Sequence, residues 1–296
     1  MSSSSPGFSS LLDDHASQLM QEGRLEEALR AARTALSSAR QEAEDGGAPT
    51  QRLLTALEMV ATVHRELGQV AEAEAALKEA LEVGDQVSAP KRQMANLRTS
   101  LGTLLDFSQR EADAVPLYEQ AIADFEELEP PEMEVSAQLR NNLAMIYKGL
   151  GKFALAEQHY LRALEVLENT RGRRSESVAA VYNNLGSLYF TAGFADQARE
   201  MFQEGLDSRI RTLGPKHPDV AQSYCNLATV CHELGESSRA LEYFEQSLQV
   251  LEANIKEEAA SYEAVGEDYA SLLEIEGDTR KAEAFRKRMK KVLALA

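Results

Sequence analysis

Two cysteines, five histidines, a recurring pair of asparagines and one cationic segment are the residues of this chain whose types and spacing could do chemistry. Cys225 and Cys231 lie six apart on one predicted helix, about 240° apart around its axis, so no disulfide joins them. Cys225 is expected to face outward and Cys231 to fill a core slot. Cys225 and His232 share a face at i and i+7, but they stand ~10 Å apart along the axis, too far to chelate one ion together. His15, His64, His159, His217 and His232 are scattered. His64 falls in a core slot and His217 in a connector. The 296 residues contain no phosphate-binding glycine loop, no metal-ligand triplet and no nucleophile elbow. The expectation is a protein that is not an enzyme and needs neither cofactor nor metal.

Hydrogen-bonding chemistry remains. Asn141-Asn142 and Asn183-Asn184 recur 42 residues apart, and Asn226 continues the second column. An Asn side chain donates and accepts. A column of them can therefore hold an extended peptide backbone without demanding a particular sequence.

The elements that must position these residues repeat with the same period. Tyr182-Asn183-Asn184-Leu185-Gly186-x-x-Tyr189 recurs as Tyr224-Cys225-Asn226-Leu227-Ala228-x-x-Cys231 and as Arg140-Asn141-Asn142-Leu143-Ala144-x-x-Tyr147. Each copy is followed by a Gly (Gly193, Gly235, Gly151), an Ala (Ala198, Ala240, Ala156) and an aromatic residue (Phe202, Phe244, Tyr160). Sliding the frame finds about seven units, starting near residues 9, 54, 95, 137, 179, 221 and 263. Positions 4, 7, 8 and 11 of each unit fall on one helical face. The Gly stops that first helix, and a second helix returns along it. In the third unit Gln109 stands where Gly is expected. Pro218-Asp219 suits a helix start, and the Pro-free stretch around Lys256-Glu257 suits nearly continuous helix.

These offsets resemble the tetratricopeptide (TPR) repeat, although the period is longer than the usual ~34 residues. The resemblance implies an all-α fold, a TPR α-solenoid of stacked hairpins forming a superhelix. Residues 9–296 are expected to form one array after a disordered Ser-rich tail, 1–8. A stack of this kind leaves a concave groove lined by first helices. The groove-facing slots are Gln138, Asn141, Met145 and Lys148, then Ala180, Asn183, Ser187 and Phe190, then Gln222, Cys225, Thr229 and His232. Asn142, Asn184 and Asn226 stand at the groove's edge, where they either touch a ligand or bridge adjacent repeats.

Over residues 137–252 the chain more specifically resembles the kinesin light chain TPR domain, through Asn-Asn-Leu-Ala (141–144), Asn-Asn-Leu-Gly (183–186) and the connector Leu-Gly-Pro-Lys-His-Pro-Asp-Val-Ala (213–221). The resemblance implies an adaptor whose groove takes extended, often acidic peptides. It also implies a cytoskeletal context, because such adaptors tie cargo to a cytoskeletal motor, and similar repeats occur in bacteria, some beside tubulin-like proteins. Arg98 and Arg140 replace an apolar residue at position 4, and Cys225 replaces the first Asn of its pair.

Net charge is −17, unevenly spread: residues 1–136 carry −14, residues 137–216 carry +3 and residues 217–296 carry −6. This field disfavours nucleic acid as a partner. No apolar run approaches ~18 residues and no secretory leader is visible, so a cytoplasmic protein is expected. The last predicted helix, 279–296, sets Phe285, Met289, Val292 and Leu293 against seven basic residues and Glu283. It reads either as a capping helix or as a contact to an anionic membrane or an acidic, tubulin-like filament through Lys281, Arg286, Lys287, Arg288, Lys290 and Lys291. The leading expectation is a protein or peptide partner held in the groove. The alternative is a linker between filament and membrane.

Overall fold

The computed structural model describes residues 8–173 and 175–294, with side chains from residue 15 onward. The rest of the Ser-rich tail and the last two residues of the basic segment lie outside the described residues. Fourteen α-helices and no strand occur among those described. They are α1 (Phe8–Gln21), α2 (Leu25–Gly46), α3 (Gln51–Glu66), α4 (Val70–Gln86), α5 (Lys91–Phe107), α6 (Glu111–Glu126), α7 (Met133–Gly149), α8 (Phe153–Arg171), α9 (Glu176–Thr191), α10 (Ala195–Leu213), α11 (Pro218–Glu233), α12 (Ser237–Ala253), α13 (Ile255–Ile275) and α14 (Thr279–Leu293). No described helix is long and apolar enough to cross a membrane.

The chain divides into two compact units, Met1–Leu139 and Arg140–Ala296, with the boundary inside α7. In the first unit α1 to α5 pack successively, each on the next, and α5 packs on α6; in the second, α8 to α14 do the same. The odd-numbered and even-numbered helices form hairpins whose interface is apolar. Leu143, Ala144, Leu185, Leu227 and Ala228 are fully buried, as are Ala156, Ala198 and Ala240 on the returning helices. The small residues permit close approach: an added Cβ on Gly186 would lie 2.7 Å from the Phe202 ring.

The turn inside each hairpin follows one local rule. In the fourth unit Gly151 takes φ 71°, its N–H reaches the Lys148 carbonyl at 3.0 Å, and the next N–H reaches the Tyr147 carbonyl at 2.8 Å. At Gln109, φ 59°, the same pair of bonds recurs: its N–H reaches the Asp106 carbonyl and the Arg110 N–H reaches the Leu105 carbonyl. The bonding pattern therefore sets the left-handed residue, and Gln accepts a conformation that costs a side chain about 1–2 kcal/mol. The helix starts also follow local chemistry. Thr50 and Ser175 cap α3 and α9 through their hydroxyls, at 3.2 and 3.3 Å, and α11 opens on Pro218.

Three expectations meet local differences. The stretch expected to run as nearly continuous helix breaks at Asn254 and kinks at Glu258 (φ −111°, ψ 20°). There the Asn254 amide donates to the Val250 and Lys216 carbonyls, satisfying a helix end. The two arginines in apolar slots survive because the returning helix supplies partners: Arg98 meets Asp124 at 2.6 Å, both little exposed, and Arg140 Nη1 lies 3.4 Å from His159 Nδ1. Cys231 is buried as expected. Cys225, expected to face the groove, instead packs on the apolar cluster that includes Tyr269, Ala270 and Leu273 of α13.

Candidate functional site

The asparagines of the second unit sit on α7, α9 and α11, the first helices of three consecutive hairpins. Asn184 Nδ2 donates to Asn141 Oδ1 at 3.0 Å, and Asn226 Nδ2 donates to Asn183 Oδ1 at 2.7 Å. The second Asn of one repeat thus reaches back to the first Asn of the repeat before it. Gln222 Nε2 donates to Asn226 Oδ1 at 3.0 Å and extends the row. The bridging role open to position 6 in the sequence is the geometry seen at Asn184 and Asn226. Asn142 has no earlier Asn to reach within its unit; it is exposed and accepts a long contact, 3.5 Å, from Asn141. The rungs leave several amide donors and acceptors of this row available, because each Asn offers two donors and one carbonyl.

Further along the same helices, Lys148 Nζ donates to Ser187 Oγ at 2.9 Å. Lys148 is half-buried, and among the described residues no carboxylate pairs with it. Burial pushes its ammonium below the usual lysine range. Phe190, half-buried, leans onto the cluster formed by Val220, Leu227 and Val230 of the following hairpin. Met145 is exposed between the asparagines and Lys148. Thr229 is exposed and donates to its own helix at the Cys225 carbonyl, while Gln138 is exposed on α7. The structure therefore joins Asn141, Asn183, Asn184, Gln222 and Asn226 in one row with Lys148 and Ser187 beside it. It leaves Gln138, Asn142 and Thr229 as separate polar positions.

The row presents amides suited to a peptide backbone and a cation suited to a carboxylate. No described group of three or more His, Cys, Asp or Glu residues is arranged to hold a metal.

The slot of Asn141 and Asn183 is occupied two repeats earlier by Glu58 on α3, a position that attention to the asparagines passes over. The 42-residue register was the signal that could have found it. Burial raises this carboxyl above its usual range.

At the basic end, neighbouring acids neutralise half of the candidate contact residues. Lys281 pairs with Glu245 at 3.1 Å, Arg288 with Glu252 at 2.6 Å, and Arg286 with Glu267 and Glu274. Lys287, Lys290 and Lys291 are exposed and in no ion pair among the described residues. Phe285 and Met289 pack inward on α13.

Residues 51–127, 135–209 and 177–253 match the family model described as tetratricopeptide repeat. None of the curated proteins compared with the chain matches it. Among solved structures, BtubC (BKLC) from P. vanneervenii is 29% identical over 77% of this chain and 91% of its own, with a TM-score of 0.63. A Podosopora anserina protein of kinesin-light-chain type with nearly identical TPR-like repeats is 20% identical over 68% and 96%, with a TM-score of 0.58. RapI in its apo form is 13% identical over 97% and 77%, with a TM-score of 0.72. The last two similarities concern the fold.

Proposed function

Because this chain belongs to the tetratricopeptide-repeat family, whose helical hairpins serve as protein-interaction scaffolds, we propose that it is a non-enzymatic adaptor. It holds an extended, carboxylate-bearing peptide segment of a partner protein against α7, α9 and α11. The observation that carries this reading is Lys148. A half-buried ammonium whose partner is a serine hydroxyl has lost hydration without gaining an opposite charge. A ligand carboxylate would supply that charge, and the asparagine row beside it would hold the ligand's backbone.

The experiment is selection from a library of acetylated, amidated decapeptides with a fixed central Glu, Gln or Lys. The intact chain should capture the Glu pool best, and Lys148→Met should erase its advantage over Gln. Asn183→Leu should weaken capture of both the Glu and the Gln pools. A Glu preference that survives Lys148→Met would overturn the assignment.

A filament partner is a second reading. It is favoured by the similarity to BtubC, together with the kinesin-light-chain-like motifs at 141–144, 183–186 and 213–221. Of the candidate contact residues on α14, Lys287, Lys290 and Lys291 are in no ion pair among the described residues and could meet an acidic filament or an anionic membrane. Co-sedimentation with tubulin-like filaments and with anionic vesicles at low and high salt tests both surfaces. Equal pelleting after changing these three residues to Gln would remove α14 from the contact.

A further inference from the structure

The first unit has its own depression between α3 and α5, a cavity of about 190 Å³ lined by Glu58, Thr62, Arg65, Leu77, Asn96 and Ser100. Glu58 and Arg65 are the two charged residues that line it. Glu58 Oε2 accepts from Gln93 Nε2 at 3.0 Å, and Gln93 in turn accepts from Gln51 at 2.8 Å. A chain of two amides across adjacent repeats thus fixes the carboxylate in place. Its other oxygen has no partner among the described residues. It is not sealed off either, because the only fully buried polar atom without a partner there is the Tyr160 hydroxyl. The cation in the same depression, Arg65, is turned to Glu66 at 3.1 Å. Glu58 is therefore a partly desolvated carboxylate, held by one neutral donor, with one open oxygen and no ion pair among the described residues. Burial raises its carboxyl, the sign of an ionised form that the fold itself does not favour.

A stabilised surface has no use for such a group. A glutamine there would keep the amide chain and avoid the desolvation. What glutamine could not do is attract a cation. The apolar wall of Leu77 and Ala61 would cover the methylenes of a long side chain while its head reached Glu58. We infer that the depression between α3 and α5 is a second recognition site, one that takes a lysine or arginine side chain of an extended peptide segment. It rests on the peptide-binding reading and deepens it. The slot that presents Asn141 and Asn183 in the second unit presents a carboxylate here, so the two units select opposite charges.

The probe is the same decapeptide library with a fixed central Lys, Arg, norleucine or Glu, offered to the intact chain and to Glu58→Gln and Lys148→Met. The Lys and Arg pools should be captured at least about tenfold more than norleucine. Glu58→Gln should bring that ratio to about one while leaving capture of the Glu pool unchanged. Lys148→Met should do the reverse. A Lys pool no better than norleucine, or a preference that survives Glu58→Gln, overturns this site. With the Glu pool still captured through Lys148, that result leaves the first reading standing. Capture of neither pool overturns both. A Lys preference lost in Glu58→Gln without any Glu preference sustains this site and removes Lys148 from the function.

Discussion

Two glycines in the same repeat slot should respond to alanine in opposite directions. Gly102 on α5 and Gly186 on α9 each face the helix that returns along their own. In a helix interior Ala is favoured over Gly by about 1 kcal/mol. At Gly102 a new Cβ would meet the Tyr118 ring at 3.5 Å and Leu117 Cβ at 3.6 Å, ordinary contact distances. The substitution keeps the whole helical gain and adds a buried methyl, so Gly102→Ala should stabilise by about 1–1.5 kcal/mol. At Gly186 the new Cβ would lie 2.7, 2.8 and 3.0 Å from three atoms of the Phe202 ring. That ring is 5% exposed and cannot swing into solvent. Overpacking of this kind costs about 1–3 kcal/mol, which exceeds the helical gain, so Gly186→Ala should destabilise by about 1 kcal/mol. Urea unfolding followed by circular dichroism reads both changes, provided the slope of the transition is unaltered. Gly186→Ala combined with Phe202→Leu should recover most of the loss, giving a coupling of about 1 kcal/mol. If the two alanines shift the midpoint in the same direction, close helix approach does not control this slot.

Tyr160→Phe should be neutral or stabilise by up to about 1 kcal/mol, because its buried hydroxyl has no partner; Tyr118→Phe should lose about 1 kcal/mol with the 3.0 Å bond to Thr103, both read as urea midpoints. Glu58 has its folded pKa raised above 4.5, so the folded chain holds the proton more tightly and stability falls as pH climbs from below that value through the raised pKa. Glu58→Gln should therefore be more stable than the parent at neutral pH and equal to it near about pH 3; an unchanged midpoint at neutral pH would contradict this. Burial pushes the Cys225 thiol up to about 11, so at about pH 8 it should alkylate roughly a hundredfold more slowly than an open thiol, as peptide mapping after iodoacetamide would show.

The parts of the fold legible in the sequence are those set by local rules. The left-handed residue closing each first helix, the Pro218 start and the apolar slots follow from periodicity and backbone chemistry, and even Gln109 obeyed the register. The candidate site was legible as a set of slots but not as a network. Whether Asn184 meets a ligand or Asn141 depends on how far one hairpin is offset from the next, which no single repeat encodes. Cys225 was misplaced because the helix that covers it, α13, belongs to the following repeat. The basic segment read as an open cationic face because its neutralising partners Glu245, Glu252, Glu267 and Glu274 lie 12 to 36 residues away on α12 and α13. Glu58 shows the converse. Its identity was plain, but its loss of hydration arises only when α5 packs against α3.

The most direct test of the central claim is a double-mutant cycle across the binding interface. Calorimetry would compare the intact chain and Lys148→Met, each with the best Glu-centred decapeptide and its Gln counterpart. A carboxylate that sits on the half-buried ammonium should couple to it by about 1–3 kcal/mol, with the Glu-to-Gln change costing affinity only when Lys148 is present. A coupling of zero, with the Glu-centred peptide bound equally well by both proteins, would contradict the account.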